Sequence, residues 1–322
     1  MPLDPQARQL LQEIAESGPP PMHDLTPAEA RAAHAEQTPA LAGAGPQVGA
    51  VTDERIATDA GDLPLRIYRP RGAGPFPVMV YIHGGGWVVG TLGTYDALCR
   101  HLAVRADCVL VSVGYRLAPE HRHPAALEDA YTATCWAEDQ AAHFAGDPGR
   151  LGVAGDSAGG HLAGLVAARA VDHRPFRPSF QVLVYPALDP TMGSESITEF
   201  AEGYYLAREE LRWCWSRYLG PEGDWDLPEV TPLHRADLSG LPRTLLIVAG
   251  HDPLRDEGVL YAKRLEAAGV PTVLRNYQGM IHGFVRFLRV LDAAHDAIDE
   301  VACFVRAATG LPETVRTTDL QR

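Results

Sequence analysis

Residues 150–160 read RLGVAGDSAGG and carry the strongest structural signal in the chain. The apolar run 151–154 predicts a buried strand, and the helix-forming residues from His161 onward predict a helix. A G-x-S-x-G pattern centred on Ser157 lies between them. A strand that turns sharply into a helix at a serine is a nucleophile elbow, which holds the hydroxyl in a strained and exposed position. We therefore predict that Ser157 is a nucleophile.

The glycines around Ser157 suit such a turn. Gly155, Gly159 and Gly160 carry no side chain that could clash where a strand and a helix come close together. The N-terminus of the following helix would also favour negative charge beside the serine. The alternative is an ordinary polar turn before a helix, and the partner residues described next disfavour that alternative.

A serine hydroxyl needs a base that takes its proton and a third group that orients the base. When the serine lies on such an elbow, the acid follows it in the chain and the histidine comes last. Of the 13 histidines, only His282 and His295 follow the acid candidates. His282 follows the strand-like run 271–277 and has a glycine on either side, whereas His295 lies inside a helical pattern. We predict that His282 is the base and keep His295 as the alternative.

The acid is expected just after the buried-strand pattern 244–250. Asp252 lies two residues beyond that run, at the carboxyl edge of the strand, where catalytic loops gather in parallel sheets. Asp256 and Glu257 are rivals, but both suit the first turn of the helical pattern that follows, where the helix dipole stabilises acids. We predict that Asp252 orients the base and that His251 is an ordinary loop residue.

Attack on a carbonyl creates an oxyanion, which backbone N–H groups must stabilise. The sequence HGGG at 83–86 follows the strand-like run 77–82, and an H-G-G-G loop in that place is typical of oxyanion loops. We expect the amides of Gly84 and Gly85 to donate, with that of Ala158, the residue after the nucleophile. We expect His83 to pack and orient the loop.

Several motifs together resemble one known family. They are HGGGW at 83–87, YRLAPEH at 115–121, GDSAGG at 155–160, DPLRDEG at 252–258 and HGF at 282–284. In this order they are similar to the bacterial hormone-sensitive-lipase-like (family IV) carboxylesterases of the α/β-hydrolase fold, over about residues 45–308. The resemblance implies a triad of Ser157, Asp252 and His282. The family commonly has Asn after the elbow glycines, and we expect His161 at that place to change packing rather than chemistry.

Strand-like and helical patterns alternate along most of the chain, which predicts an α/β fold with a mostly parallel sheet covered on both faces. The resemblance implies eight strands and a helical cap. We expect an N-terminal helical cap segment at 1–45, the hydrolase core at 46–190 and 241–310, a cap insertion at 191–240 and a C-terminal tail at 311–322. Within the N-terminal segment, 6–17 and 27–36 are predicted helices. Trp87, Tyr205 and Leu206 are the candidate substrate-binding residues, whereas Trp213 and Trp215 are expected to pack the insertion.

Two charged segments have structural interpretations. Arg116 and Glu120 carry opposite charges below the oxyanion strand, and we expect an ion pair or a hydrogen-bond scaffold. His121 and His123 could imitate a metal pair, but no third ligand is spaced nearby, so no metal or other cofactor is expected.

Composition is typical of a soluble enzyme with one large core. The chain has 322 residues, with 28 Lys and Arg against 41 Asp and Glu, a net charge of −13. This acidity disfavours nucleic acid and anionic membranes as partners. Five scattered cysteines suggest free thiols, and no signal peptide or membrane span is apparent. We expect a cytoplasmic protein, and the resemblance implies a homodimer formed through an edge strand.

The resemblance implies hydrolysis of small esters with short acyl chains by two-step acyl transfer without a cofactor. An amidase, an arylformamidase or a lactonase could use the same residues, because a fold does not fix its substrate. A non-catalytic binding protein on this fold is a further alternative, which the complete set of catalytic roles disfavours.

Overall fold

A computed structural model describes residues 2–173, 177–220, 225 and 230–312. Within these residues, eight strands form one sheet in the order β1-β2-β4-β3-β5-β6-β7-β8. The strands are β1 (Ala50–Thr58), β2 (Gly61–Arg69), β3 (Phe76–Ile82), β4 (Val109–Val113), β5 (Gly146–Asp156), β6 (Phe180–Val184), β7 (Arg243–His251) and β8 (Thr272–Ile281). Among the described strands, β2 pairs antiparallel with β1 and with β4, and the other five pairs are parallel. The predicted eight-stranded, mostly parallel sheet is confirmed.

Nine described helices surround the sheet. They are α1 (Pro5–Ser17), α2 (Pro27–Ala42), α3 (Asp96–Ala106), α4 (Ala125–Asp139), α5 (Ala158–His173), α6 (Glu195–Glu199), α7 (Arg208–Leu219), α8 (Arg255–Ala267) and α9 (Asp292–Ala308). Every residue of β3, β4 and β6 is buried, because helices cover the central strands on both faces. One face packs on α4, α5 and α8, and the other packs on α3 and α9.

The N-terminal segment forms the two predicted helices, α1 and α2. Thr26 caps α2 in a reciprocal capping box with Glu29, with Pro27 at the first helical position. The helix continues to Ala42, beyond the predicted end at residue 36. The insertion after β6 contains α6 and α7, although 221–224 and 226–229 lie outside the described residues.

Two element boundaries differ from the sequence prediction. β8 continues to Ile281, so His282 directly follows a strand instead of lying within a loop. α9 begins only at Asp292, which leaves Phe287 and Leu291 of the predicted helical pattern before the helix. Both apolar side chains are buried against the sheet, and this burial explains the pattern without a helix.

Several expectations concern the chain as a whole rather than the sheet. Residues 313–322 of the predicted tail lie outside the described part. No described helix is long and apolar enough to cross a membrane. All five cysteines are free thiols, as the sequence predicted. The domain division, the cytoplasmic location and the homodimer remain predictions.

Candidate active site

Ser157 lies at the sharp turn between the end of β5 and the start of α5. Its φ of 55° lies in the left-handed region, where a non-glycine residue is strained. Its backbone N–H donates to the carbonyl of Val184 at 2.8 Å, and this contact ties the turn to the neighbouring strand β6. A side chain on Gly155 or Gly159 would overlap backbone atoms of the crossing segments. The turn therefore has the elbow geometry that the sequence predicted.

Three side chains meet at the carboxyl edge of the sheet. The Ser157 hydroxyl lies 2.9 Å from Nε2 of His282, and Nδ1 of His282 lies 2.8 Å from Oδ2 of Asp252. Asp252 directly follows β7 and is fully buried, and its other oxygen accepts from the N–H of Leu254. This arrangement gives a hydroxyl, an imidazole and a carboxylate in one hydrogen-bonded chain.

The rival histidine and acids lie elsewhere. Nε2 of His295 contacts the carbonyl of Leu288, away from the elbow. Asp256 and Glu257 lie in the first turn of α8, as expected, and Asp256 accepts from the N–H of Ser196.

Glu257 is more deeply placed than a first-turn acid usually is. It is only 2% exposed and accepts from the N–H of Leu188 at 2.6 Å. Burial raises the pKa of this carboxyl well above its usual range. Glu257 thereby fastens α8 to the segment after β6, a structural contact that the sequence did not indicate.

Tyr185, which the sequence analysis did not single out, packs against the imidazole. Its ring centroid lies 4.6 Å from that of His282 at an interplanar angle of 56°. Its φ of 35° turns the chain at the end of β6, and its N–H donates to the carbonyl of Ile247 in β7. A single tyrosine after a strand carries no local signal for this contact, which depends on three adjacent strands.

The glycine loop, residues 83–86, makes one contact that the sequence did not indicate. Gly84 was expected to donate to an oxyanion, but its N–H already donates to Oδ1 of Asp156 at 3.0 Å. Gly85 and Gly86 have φ values of 105° and 59°, which favour glycine, and both line the cavity above Ser157. This contact disfavours Gly84 as an oxyanion donor and makes Gly86, which the sequence analysis did not name, a candidate. The predictions for Gly85 and Ala158 stand as predictions.

His83 packs beneath this loop, as expected. Its ring stacks on Tyr115 with centroids 4.2 Å apart, and Nδ1 contacts the carbonyl of Gly84. Burial lowers the pKa of His83 to about 4, so the ring is neutral at pH 7.

Asp156, the first variable residue of the G-x-S-x-G pattern, holds the glycine loop in place. Its Oδ1 accepts from Tyr81 at 2.9 Å as well as from Gly84, and its Oδ2 accepts from Tyr95 at 3.1 Å. Burial raises the pKa of this carboxyl, while the charge of Arg286 and the three hydrogen bonds favour its charged form. A single side chain thus joins the elbow to the glycine loop.

His161, the departure from the family pattern, faces the interior as expected. It is fully buried, and Nε2 contacts the carbonyl of Val230 at 2.7 Å. Its ring meets Trp87 edge-on, with centroids 5.2 Å apart. Burial lowers its pKa to about 3, so it packs as a neutral ring behind the elbow.

A cavity that is open to solvent lies above Ser157. The three candidate substrate-binding residues, Trp87, Tyr205 and Leu206, all line it. Its wall includes further residues that sequence reasoning missed: Met22 and His34 from the N-terminal segment, Leu211 and Cys214 from the insertion, and Arg286 from the turn after β8. Trp215 is buried against Trp87, in keeping with its predicted packing role.

Arg116 and Glu120 both form ion pairs, but not with each other. Arg116 pairs with the buried Asp129 of α4 at 2.8 Å. Glu120 pairs with Arg31 of α2 at 2.6 Å. The expected scaffold therefore exists with different partners, because long-range packing brings α2 and α4 to this loop. In the part of the chain that the structure covers, no three His, Cys, Asp or Glu side chains are grouped to hold a metal.

Comparisons with known proteins found a matching family model, similar curated proteins and similar solved structures. A family model described as the alpha/beta hydrolase fold matches residues 79–286. Carboxylic ester hydrolase LipN of Mycobacterium tuberculosis is 43% identical over 271 residues, or 82% of this chain and 72% of LipN. Ethyl acetate hydrolase of Pseudomonas putida is 36% identical over 283 residues, or 86% of this chain and 89% of that protein. A solved ester hydrolase from the metagenome of Lake Arreo superposes with a TM-score of 0.92 at 39% identity, over 96% of this chain and 99% of that one.

Proposed function

We propose that this chain, which belongs to the hormone-sensitive-lipase-like branch of the α/β-hydrolase fold family and is a carboxylic ester hydrolase, cleaves short-chain acyl esters. The proposed catalytic residues are Ser157, His282 and Asp252. One observation carries the proposal: the continuous hydrogen-bonded chain from the Ser157 hydroxyl through His282 to Asp252, at 2.9 and 2.8 Å. This geometry is within the range at which a base can take a proton from a nucleophile.

The proposed reaction has two steps. The Ser157 hydroxyl attacks the ester carbonyl while Nε2 of His282 takes its proton. Asp252 accepts from Nδ1–H of His282, which fixes the tautomer and stabilises the imidazolium. The protonated imidazole then gives its proton to the leaving alcohol. Water, with its proton taken by His282, hydrolyses the acyl-enzyme and returns Ser157 to its free form.

For the oxyanion we propose the amides of Gly85, Gly86 and Ala158. The contact between Gly84 and Asp156 supports Gly86 over Gly84, because an N–H held by a carboxylate is not free for substrate. The position of Ala158 at the start of α5 supports its part, since the first N–H groups of a helix have no partner within the helix. Loss of one oxyanion donor typically lowers kcat by about a hundred- to a thousandfold.

The cavity above Ser157 supports the proposal that the substrates are small esters. Its lining is mainly apolar, and the helices α2 and α7 cover it, in keeping with a cap over the site. The similarity to an ethyl acetate hydrolase also favours short acyl chains. We propose that Trp87, Tyr205 and Leu206 contact the acyl or alcohol group, and that residues of α2 and of the insertion limit its length.

The test is hydrolysis of p-nitrophenyl esters, from acetate upward, by the wild type and by Ser157→Ala. We expect the highest kcat/KM at short acyl chains and a loss of at least about a thousandfold in the variant, since it lacks the nucleophile. Ser17→Ala, at the exposed end of α1, is the matched control and should behave as the wild type.

Equal activity in the wild type and Ser157→Ala would contradict the proposed nucleophile. A wild type that cleaves only amides, formamides or lactones in a parallel panel would contradict the proposed substrate class.

A further inference from the structure

Arg286 lies in the cavity wall, four residues beyond the imidazole of the proposed triad. It is half-buried and ends the short 3₁₀ turn Phe284–Arg286. Among the described residues that line the cavity, it is the one with a permanent positive charge. Neither the family motifs nor the proposed mechanism uses this cation.

The contacts of the guanidinium are with neutral groups. Nη1 donates to Nε2 of His34 at 2.6 Å and to the hydroxyl of Tyr95 at 3.3 Å, and Nη2 lies 3.5 Å from the hydroxyl of Tyr205. Because arginine is only a donor, Nε2 of His34 must be unprotonated. Burial, together with the charge of Arg286, lowers the pKa of His34 to about 3, so this ring adds no second charge.

The carboxylate of Asp156 does not neutralise Arg286 directly. Tyr95 lies between them, because its hydroxyl donates to Oδ2 of Asp156 at 3.1 Å and accepts from Arg286. Both oxygens of Asp156 are already occupied by the contacts to Tyr81, Gly84 and Tyr95. Within the described chain, Arg286 therefore forms no ion pair with a carboxylate.

The guanidinium also has donors to spare. It carries five N–H groups, and the structure gives acceptors to three of them, one at a long 3.5 Å. Among the described residues, each nitrogen of the Arg286 guanidinium either has a hydrogen-bond partner or is accessible to solvent. The remaining two N–H groups have no acceptor among the contacts that the structure gives to Arg286.

A second recess lies behind the same residues. His34, Tyr205 and Arg286 line both the cavity above Ser157 and a neighbouring recess that also contains Thr38 and Thr94. The charged end of a substrate could therefore be held at this shared wall while its ester reaches the serine.

We propose that Arg286 is an anion subsite that binds a free carboxylate on the substrate, so that the enzyme prefers esters carrying a carboxylate near the scissile bond. This inference rests on the proposed function. A planar guanidinium binds a carboxylate through paired, charge-assisted hydrogen bonds. A partly desolvated cation without a direct counter-charge gains from such a partner more than an exposed one does.

The test compares substrate pairs that differ only in charge. On the alcohol side, 2-acetoxypropanoate is paired with 2-acetoxypropanamide; on the acyl side, monoethyl succinate is paired with ethyl succinamate. We expect the wild type to favour the carboxylate in at least one pair. Arg286→Gln should reduce that preference by about tenfold or more, mainly through KM, because the contact is made in the ground state. Arg286→Lys should keep part of the preference, since it retains the charge but loses the paired geometry.

Arg289→Ala, which removes an exposed arginine three positions later, is the matched control and should keep the wild-type preference. Hydrolysis of the amide partners reports whether each variant is folded. Equal losses on both members of each pair in Arg286→Gln would overturn the anion subsite, as would a wild type without any charge preference. A wild type inactive on all neutral esters would instead refute the proposed function itself.

Discussion

Asp156 holds the glycine loop of the proposed active site through three hydrogen bonds. It accepts hydrogen bonds from Tyr81 and Tyr95 and from the N–H of Gly84, so it sets the position of the loop that carries Gly85 and Gly86. The carboxylate is buried, and its removal would leave these donors without acceptors. Each buried donor left unpaired costs about 1–3 kcal/mol. Asp156 is therefore a positioning residue for the proposed oxyanion amides.

We predict that Asp156→Ala lowers both the stability and kcat, because the glycine loop loses its anchor. We expect a drop in kcat of about ten- to a hundredfold with a smaller change in KM, since the oxyanion forms only along the reaction path. Asp156→Asn should lie between, as its amide oxygen can still accept from Gly84. Steady-state kinetics and urea unfolding measure the two effects.

The control for this residue is Asp129→Asn. Asp129 is also a buried carboxylate, 3% exposed, but it holds Arg116 rather than the glycine loop. This variant should lose stability and retain kcat. If both variants lose stability and neither loses kcat, Asp156 has a purely structural role.

At the scale of elements, Arg31 is one of the residues that attach α2 to the body of the protein. Arg31 donates from Nε to the carbonyl of Val88 at 2.8 Å and from Nη2 to that of Ala118 at 2.9 Å. It also forms a two-pronged ion pair with Glu120, with contacts of 2.6 and 2.9 Å. Because α2 also carries His34, these contacts hold one wall of the cavity.

We predict that Arg31→Ala raises KM for p-nitrophenyl esters several-fold and lowers stability more than Glu120→Gln does, because it removes two carbonyl contacts as well. The ion pair should contribute at most about 1 kcal/mol, since Glu120 is largely exposed. The hydrogen bond from Arg31 lowers the pKa of Glu120 to about 2. A lowered folded-state pKa gives stability that is present above about 4.5, the unfolded value, and is lost as the pH falls towards 2.

Urea unfolding of the wild type and Glu120→Gln between pH 7 and pH 3 checks this sign. The difference between the two proteins should shrink below about pH 4.5. Glu128→Gln, which breaks an exposed ion pair to Arg169 far from α2, is the control and should leave KM unchanged. An ion-pair contribution that grows as the pH falls would contradict the assignment.

At the scale of the whole molecule, the proposed catalytic side chains and much of the cavity wall come from different parts of the chain. Ser157, Asp252 and His282 follow strands β5, β7 and β8 of the sheet. Much of the cavity wall comes instead from the N-terminal segment and from the insertion, through residues such as Met22 and Leu211. The sheet should therefore hold the three proposed catalytic residues in place even when the cover is removed.

We predict that removal of residues 2–36 keeps the sheet but changes ester selectivity. Met22 and His34 would be lost from the cavity wall, so KM should rise and the preference for short acyl chains should weaken. Far-UV circular dichroism and the p-nitrophenyl ester series measure the two properties. Removal of residues 2–18 alone is the control, because no residue of α1 lines the cavity. Unchanged kinetics on every ester in the longer deletion would argue against a cap function.

The sequence by itself determined the α/β architecture, the elbow at Ser157 and the choice of Asp252 and His282. These features are local, because each depends on a strand pattern and on the residues that directly follow it. The carboxyl ends of parallel strands meet at one edge, so the order of such segments along the chain predicts their meeting in space.

Only the tertiary structure decided which groups are free and which are already paired. Gly84 and Gly86 are alike in sequence, and the contact with Asp156, 72 positions away, distinguishes them. His34 and Arg286 are 252 positions apart and meet because α2 folds over the edge of the sheet. Hydrogen bonds and charges reach their partners through space, so local patterns locate the chemistry while packing decides which atoms remain available for it.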